Sequence, residues 1–346
     1  MVDVNNLNNN ERIFLREFIA YNKSREIMNS DEPDKLKSAL SDLSDEYLHL
    51  LKQAVKLVKV SDSNQLKLRN AQSVLKEQSE KIEAQNSELL KSNQEKEETL
   101  KKLNNELSKA ASYVKSLLPK PLKNHKSGLN ICWKFEPSSK LGGDLFGYKF
   151  FDEKHVIFYL FDVSGHGIGP ALYSVSVCNA INDGNILQVD FLSPSSVFRG
   201  LNKVFDMRKH NDLYFTIWYG VYNLESKKLR YASAGHPPAI LLSKHNNKKL
   251  PPADNFFIGG LPNYNFEEMS IKLDKGDVIY LFSDGAYEIR TNDTEYFTLQ
   301  ELETLINTYD GNDNILDIIY NHLKLISYEL PDSSLEDDFS MMRIQF

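Results

Sequence analysis

Between Pro33 and Pro119 the chain contains neither proline nor glycine, and this limits what it can fold into more than any other feature. Those two residues disfavour helix interiors most strongly. A long stretch without either, filled with Lys, Glu, Gln, Ser, Asn and Leu, reads as helix. Its apolar residues repeat every seven positions. Leu68, Leu75, Ile82, Leu89, Lys96, Leu103, Ala110 and Leu117 take the d position. Gln72, Ser79, Asn86, Asn93, Leu100, Leu107 and Val114 take the a position. Such a seam specifies a coiled coil, and the polar a residues Asn86 and Asn93 weaken it while fixing register. An earlier seam runs through Leu43, Tyr47, Leu50, Ala54 and Leu57. The step from Leu57 to Leu68 is seven plus four, a stutter that locally unwinds a supercoil near Ser61 and Asp62. The expectation is a coiled coil over 43–118 that joins two copies as a homodimer and carries signals; the plainer alternative is one amphipathic helix packed on its own domain. Residues 1–42 read as a short helical or disordered segment, with an amphipathic stretch over 11–28.

The motif LLPKPL (117–122) closes this part, since proline cannot continue a helix. The chain then turns rich in Gly, Phe, Tyr and Ile, and 119–346 reads as a second domain. HVIFYLFDV (155–163) has the continuous apolar content of a buried strand. YFTIWYGVYN, KLRYAS, PAILLS, DVIYLFS and FSMMRIQF read as further strands, with KGD and DSSLEDD as turns. Residues 170–182, 194–209, 298–308 and 313–328 read as helices. SAGHPP (233–238), with His236, reads as a rigid turn, and KHNNKK (244–249) as a solvated hairpin tip. Strands in succession, with helices grouped between them, predict an α+β layered sheet rather than a parallel βαβ series.

Composition removes several function classes. The formal net charge is −7, which argues against a nucleic-acid-binding surface. The two cysteines, Cys132 and Cys178, have no CxxC spacing and suggest neither a zinc site nor a disulfide framework. The start of the chain lacks the apolar core of a signal peptide, and its longest apolar run, VIFYLF, is too short to span a membrane. The expected setting is the cytoplasm.

Four acidic positions share one context, an Asp at or near the end of an apolar strand beside glycine or small residues. These are Asp144 in KLGGDLFG, Asp162 in FYLFDVSGHG, Asp284 in IYLFSDGAYE, and Asp337 with Asp338 in LEDDFSMM. One such Asp is usually a turn residue or helix cap. Several converging from neighbouring strands make a hard-oxygen site suited to Mg²⁺ or Mn²⁺.

These segments together resemble the bacterial SpoIIE/RsbU-like branch of the PP2C-type (PPM) metal-dependent phosphatases. GGD, DVSGHG, AGHPP, SDG and the final DD stand in the same order and spacing over about 128–346. The resemblance implies a PP2C-like β-sandwich flanked by helices and a phosphatase that uses two Mn²⁺ or Mg²⁺ ions per active site to activate water. Asp144, Asp162, Asp284 and Asp337 match the metal-holding, catalytic aspartates, and the carbonyl of Val163 a main-chain ligand. Gly143, Gly165, His166 and Asp338 match positions that shape the site. The implied substrate is a phosphoserine or phosphothreonine on a partner protein, a STAS-type anti-sigma-factor antagonist. The chain departs from the pattern twice. Many relatives have an acidic residue where this chain has Gly147, and eukaryotic members have a histidine where it has Ser164; His166 is therefore not assigned as a general acid. Alternatives are a catalytically silent scaffold signalling through its coiled coil, a phosphatase of small metabolites, and a purely structural coiled-coil protein.

Overall fold

The computed structural model describes residues 15–27, 32–184, 186–243, 250–251, 253–328 and 335–346. The basic tip at 244–249, the first residues of the 11–28 stretch and part of the DSSLEDD turn lie outside the described residues. The chain divides into two compact units, 1–99 and 100–346. Among the described residues no helix is long and apolar enough to cross a membrane.

The first unit holds helix α1 (Leu15–Ile27) and the greater part of helix α2 (Pro33–Ser116). Proline at its first position presets the helical φ and lacks only an N–H that would be unpaired there. The helix starts ten residues before the expected seam at Leu43 and runs through the stutter at Ser61 unbroken. Its end agrees with LLPKPL, yet the second unit reaches back to Leu100 rather than beginning at 119. The reason is packing: Val114 and Leu118 are buried in the second unit's core, with Leu107 and Ala111 against it. Trp133 Nε1 donates to the Pro119 carbonyl at 2.8 Å and fixes the exit from the helix.

The second unit is a sandwich of two sheets. One contains β1 (Asn130–Glu136), β6 (Ile240–Leu242), β9 (Val278–Phe282) and β12 (Phe339–Gln345), in the order β1-β12-β9-β6 and antiparallel throughout. The other contains β2 (Leu145–Phe150), β3 (His155–Val163), β4 (Phe215–Asn223), β5 (Lys228–Ala234), β7 (Asp254–Asn255) and β8 (Met269–Lys272). Its order is β2-β3-β4-β5-β7, with β8 also on β5. A small hairpin pairs β10 (Ile289–Arg290) with β11 (Tyr296–Phe297).

Side-chain alternation builds the layers. In β9, Ile279 and Leu281 point into the core between the sheets, while Val278, Tyr280 and Phe282 face the other way. That outer face is covered by α5 (Leu299–Tyr309) and α6 (Ile315–Ile326) through Leu302, Ile306, Ile319 and Leu323. Helices α3 (Ile168–Asp183) and α4 (Pro194–Val204) cover the other sheet with Val177, Ile181, Val197 and Leu201. Helix starts follow local chemistry: Ser193 caps α4 ahead of Pro194, and Thr298 with Glu301 forms a capping box on α5. The α+β sandwich flanked by helices is the expected fold. The helix read over 194–209 ends at Val204, because Asp206 caps a separate short turn at Met207–Lys209.

The departure at Gly147 has a steric cause. A Cβ there would fall on the Tyr159 hydroxyl and ring. That ring is fully buried, and its hydroxyl donates to Asn182 at 2.9 Å. Gly147→Ala is therefore expected to destabilise the protein by about 1–3 kcal/mol, read as a drop of several degrees in melting temperature; an unchanged midpoint would contradict this packing.

Candidate active site

The aspartates converge because the ends of four strands meet at one edge of the sandwich. Asp144 follows the Gly142–Gly143 turn and immediately precedes β2. Asp162 is the penultimate residue of β3, opposite Thr216 in β4. Asp284 opens a short turn just past β9, and Asp337 and Asp338 immediately precede β12.

Asp338 fastens the arrangement. Its Oδ2 accepts from Gly143 N–H at 2.7 Å, and its Oδ1 accepts from Ser138 N–H at 2.8 Å and Ser138 Oγ at 3.0 Å. A Cβ at Gly142 would fall on this carboxylate, so only glycine fits. On the other side of the turn, Ser174 Oγ in α3 reaches both the Gly143 carbonyl and Pro170 O, the latter at 2.8 Å, and shares its one proton between them. Ser283 Oγ donates to the Asp338 carbonyl at 3.0 Å, and Ser340 N–H donates to Ser283 Oγ at 3.2 Å. A Cβ at Gly285 would fall on that same carbonyl. The SDG and DD segments are thus locked together, and through Asp338 they hold the GGD turn.

Oxygen atoms also gather at Gly143. A Cβ there would lie 2.8 Å from Val163 O, 3.3 Å from Gly165 O and 3.6 Å from Asp162 Oδ1. Gly165 itself has φ +85°, which L side chains rarely adopt, and lets the chain turn out of β3. His166 is exposed, and its charge when protonated favours the Asp337 carboxylate. His236 is buried, with Nδ1 at 2.8 Å from Thr216 Oγ1, which sits beside Asp162 across the strands. Its Nε2 has no hydrogen bond of ordinary geometry, and the Phe282 main chain gives only weak support to a proton. Burial pushes His236 down to about 3, so it stays neutral and braces β4.

The electrostatics are those of an anion cluster. Asp144 is only 1% exposed, and neither carboxylate oxygen has a hydrogen bond of ordinary geometry; the Ser340 and Ser283 hydroxyls give only weak support to its charge. Burial, then the charges of Asp162 and Asp338, push its pKa well above the ordinary carboxylate range. Burial, then Asp284 and Asp337, do the same to Asp162. Burial, then Asp337 and Glu288, lift Asp284 to about 6. Asp337 is raised chiefly by burial. Among the described residues no Lys or Arg forms an ion pair with any of these aspartates. Buried carboxylates persist in a fold when paired or metal-bound. The donor set is entirely hard oxygen, which fits Mg²⁺ or Mn²⁺. No three of the described acidic, His or Cys side chains close on one point as a ready-made cage. The fit is to a cation that keeps several waters and takes one or two carboxylates, the habit of Mg²⁺.

Of the residues named from the sequence, the structure sets the five aspartates, Val163, Gly143, Gly165 and His166 at or just beyond the ends of β2, β3, β9 and β12, where the aspartates act on one another's charge. Sequence reading missed Ser138, Ser174, Ser283 and Ser340. The available signal was Ser174 on the apolar face of α3, fully buried between Ala171 and Cys178.

The family profile described as Stage II sporulation protein E (SpoIIE) matches residues 152–346. The chain is 29% identical over 244 residues to Phosphoserine phosphatase RsbU of Bacillus subtilis, covering 69% of this chain and 70% of that protein. It is 29% identical over 187 residues to Phosphoserine phosphatase RsbP of the same organism, covering 53% of this chain and 45% of that protein. The chain thus spans less than half of the second relative. Among solved structures it is similar to the SiaA-PP2C domain of Pseudomonas aeruginosa, with TM-score 0.59 and 17% identity over 72% of this chain and 98% of that one. It is also similar to the SpoIIE PP2C phosphatase domain with a regulatory fragment from Bacillus subtilis, with TM-score 0.54 and 16% identity over 66% and 64%. These two likenesses carry the fold alone.

Two predictions follow from the cluster. Because Asp284 titrates near 6 when folded and near 3.8 otherwise, the metal-free fold binds its proton more tightly than the unfolded chain. That contribution is full below the ordinary value and is lost as pH rises through 6. In chelator, the melting temperature should fall from pH 5 to pH 7, and Asp284→Asn should make the fall smaller, leaving the part that belongs to the other raised aspartates; an unchanged fall in Asp284→Asn would contradict this. Asp338→Ala should instead lower the midpoint at every pH, since each buried donor left unpaired costs about 1–3 kcal/mol; equal midpoints for Asp338→Ala and wild type would remove the clamp from the account.

Proposed function

The chain belongs to the SpoIIE family of PP2C-type phosphatases and is a phosphatase, and from that premise we propose that it hydrolyses phosphoserine or phosphothreonine on a partner protein, with two Mn²⁺ or Mg²⁺ ions held by Asp144, Asp162, the Val163 carbonyl, Asp284 and Asp337. The observation that carries this reading is the buried Asp144 carboxylate, with no hydrogen bond of ordinary geometry and only weak support from Ser340 and Ser283, set among further aspartates. When bound, the ions supply Lewis acidity and water activated near neutral pH. The chain's own groups hold and orient. Asp144 is fixed from both sides of Gly143, by Asp338 and by Ser174. Asp338 is a positioning residue, because both its oxygens are already engaged by Gly143 and Ser138. His166 stands exposed at the rim beside Asp337, within reach of solvent.

A covalent cysteine route has no support. Burial pushes both thiols up, Cys132 and Cys178 alike, and so disfavours a thiolate at either. The names of RsbU and RsbP support phosphoserine as the substrate group. A STAS-type antagonist as the protein that bears it, and a cytoplasmic setting, belong to the same proposal and rest on the family resemblance.

The helix adds a second element, a homodimer. In the single chain the d-position residues Leu68, Leu75, Ile82, Leu89 and Leu103 are 53–64% exposed. A row of apolar side chains this long left in water is stabilised by burial against a second copy.

Phosphate release from a phosphoserine protein or an aryl phosphate tests the chemistry. Activity should require Mn²⁺ or Mg²⁺, vanish in chelator and vanish in Asp284→Asn. Asp338→Asn should retain activity reduced by about 10–100-fold, the range for residues that orient ligands. Metal-independent turnover, or an active Asp284→Asn, would contradict the assignment. Sedimentation tests the dimer: Ile82→Glu with Leu89→Glu should give a monomer, and a dimer unaffected by both would place the pairing elsewhere.

A further inference from the structure

A second site lies outside the aspartate cluster. A pocket of about 530 Å³ opens between α4, the turn at Met207–Lys209 and the loop 259–265. Arg199 and Lys203 stand one helical turn apart on α4, and Lys209 faces the same space. Among the described residues none of these three cations is in an ion pair. The carboxylate that lines the pocket, Asp206, is taken by Arg208, with Nε to Oδ1 at 2.9 Å and Nη2 to Oδ2 at 2.6 Å. An acidic chain of net charge −7 therefore keeps three cations around one concavity, with Arg208 the main partner of Asp206 and Lys209 contributing only a weaker charge effect on it. Like charges gathered in this way raise the local concentration of anions.

The pocket is built rather than incidental. Asn202, 8% exposed, donates from Nδ2 to the Leu261 carbonyl at 2.8 Å and accepts on Oδ1 from Gly259 N–H at 2.8 Å. Gly259 has φ +98°, and a Cβ there would lie 2.6 Å from the Phe205 carbonyl. Helix and loop are thus tied before any ligand arrives, which lowers the ordering cost of binding. Tyr264 and the Asn263 and Asn265 amides complete the lining with uncharged polar groups.

The pocket also adjoins the reacting end of the sandwich. Ile258 and Phe215 exchange hydrogen bonds at 3.0 and 3.3 Å, and Phe215 pairs with Val163. Ser164 N–H donates to the Tyr214 carbonyl at 3.0 Å, and the Tyr214 ring lies 4.3 Å from that of Phe257. The loop that forms one wall is therefore hydrogen-bonded to the strand end next to Asp162.

We propose that this pocket binds an oxyanion, a phosphate or carboxylate group, beside the aspartate centre and separately from it. The anion comes either from a free small phosphate compound or from acidic side chains flanking the phosphorylated residue of the protein substrate; the second source rests on the phosphatase reading above. Both engage Arg199, Lys203 and Lys209 in the same way.

Calorimetric titration of the full chain with inorganic pyrophosphate, in chelator and at low salt, tests it. One site is expected, weakened at least tenfold by the double change Arg199→Gln and Lys203→Gln, and unaffected by Asp284→Asn. No binding to the wild type, equal binding to the double variant, or binding lost in Asp284→Asn would each overturn the proposal. Matching circular dichroism establishes that the variant is folded; Lys209→Gln alone, expected to weaken binding severalfold, serves if it is not. A glutamate-rich peptide then separates the sources: displacement of pyrophosphate identifies acidic side chains, and its failure to displace identifies a free anion. Because no turnover is read, failure of the phosphatase reading leaves the outcome interpretable.

Discussion

The Asp338 carboxylate joins the two sheets at the edge where the aspartates meet. It belongs to the segment leading into β12 in one sheet, and its acceptors hold the turn that leads into β2 in the other. A charged acceptor with three donors is among the stronger hydrogen-bonded groups a protein can make. Gly142, Gly143 and Gly285 are glycines because the two segments approach too closely for a Cβ. Without that approach Asp144 would have no reason to stand buried beside Asp162. The mutual repulsion of the carboxylates is a cost accepted by a fold whose hydrophobic layers are already secured by β3, β9 and their covering helices.

Much of this was legible in the residues. An apolar run closed by Asp and Gly marks a strand end at an edge, and four such runs with matching motifs pointed to one oxygen-rich site. The long buried strand HVIFYLFDV and the strands at 215–223, 228–234 and 339–345 stood out through apolar and aromatic content. Six strands did not, the short β7, β8, β10 and β11 and the longer β1 and β2. NICWKFE is half-buried at most positions, and LFGYKF carries an internal glycine, so neither presents a clean period. The resemblance set Asp338 among the site-shaping positions, but the clamp it makes was hidden in the residues themselves for a different reason. Two adjacent aspartates look alike in sequence, and only the position of Gly143 and Ser138 decides which one is a clamp. The end of the long helix was visible in LLPKPL, but the burial of Val114 and Leu118 was not, because heptad residues read the same whether they meet a second helix or a sheet.

Charge is segregated within an acidic chain. The aspartate centre concentrates carboxylates with no cation beside them among the described residues, while the pocket at α4 concentrates cations with its carboxylate already neutralised. Both are anchored to the meeting point of β3 and β4, the first through Asp162 and the second through Phe215 and Ile258. The proposed metal site and the proposed anion pocket thus differ in the sign of the charge that lines them.

The most direct test of the central claim is the location of manganese. Anomalous diffraction at the manganese edge from crystals grown with Mn²⁺ should show ions at the Asp162 carboxylate and the Val163 carbonyl, at oxygen distances of about 2.0–2.6 Å, with Asp338 still bound to Gly143. Manganese found elsewhere, or none at these aspartates, would contradict the account.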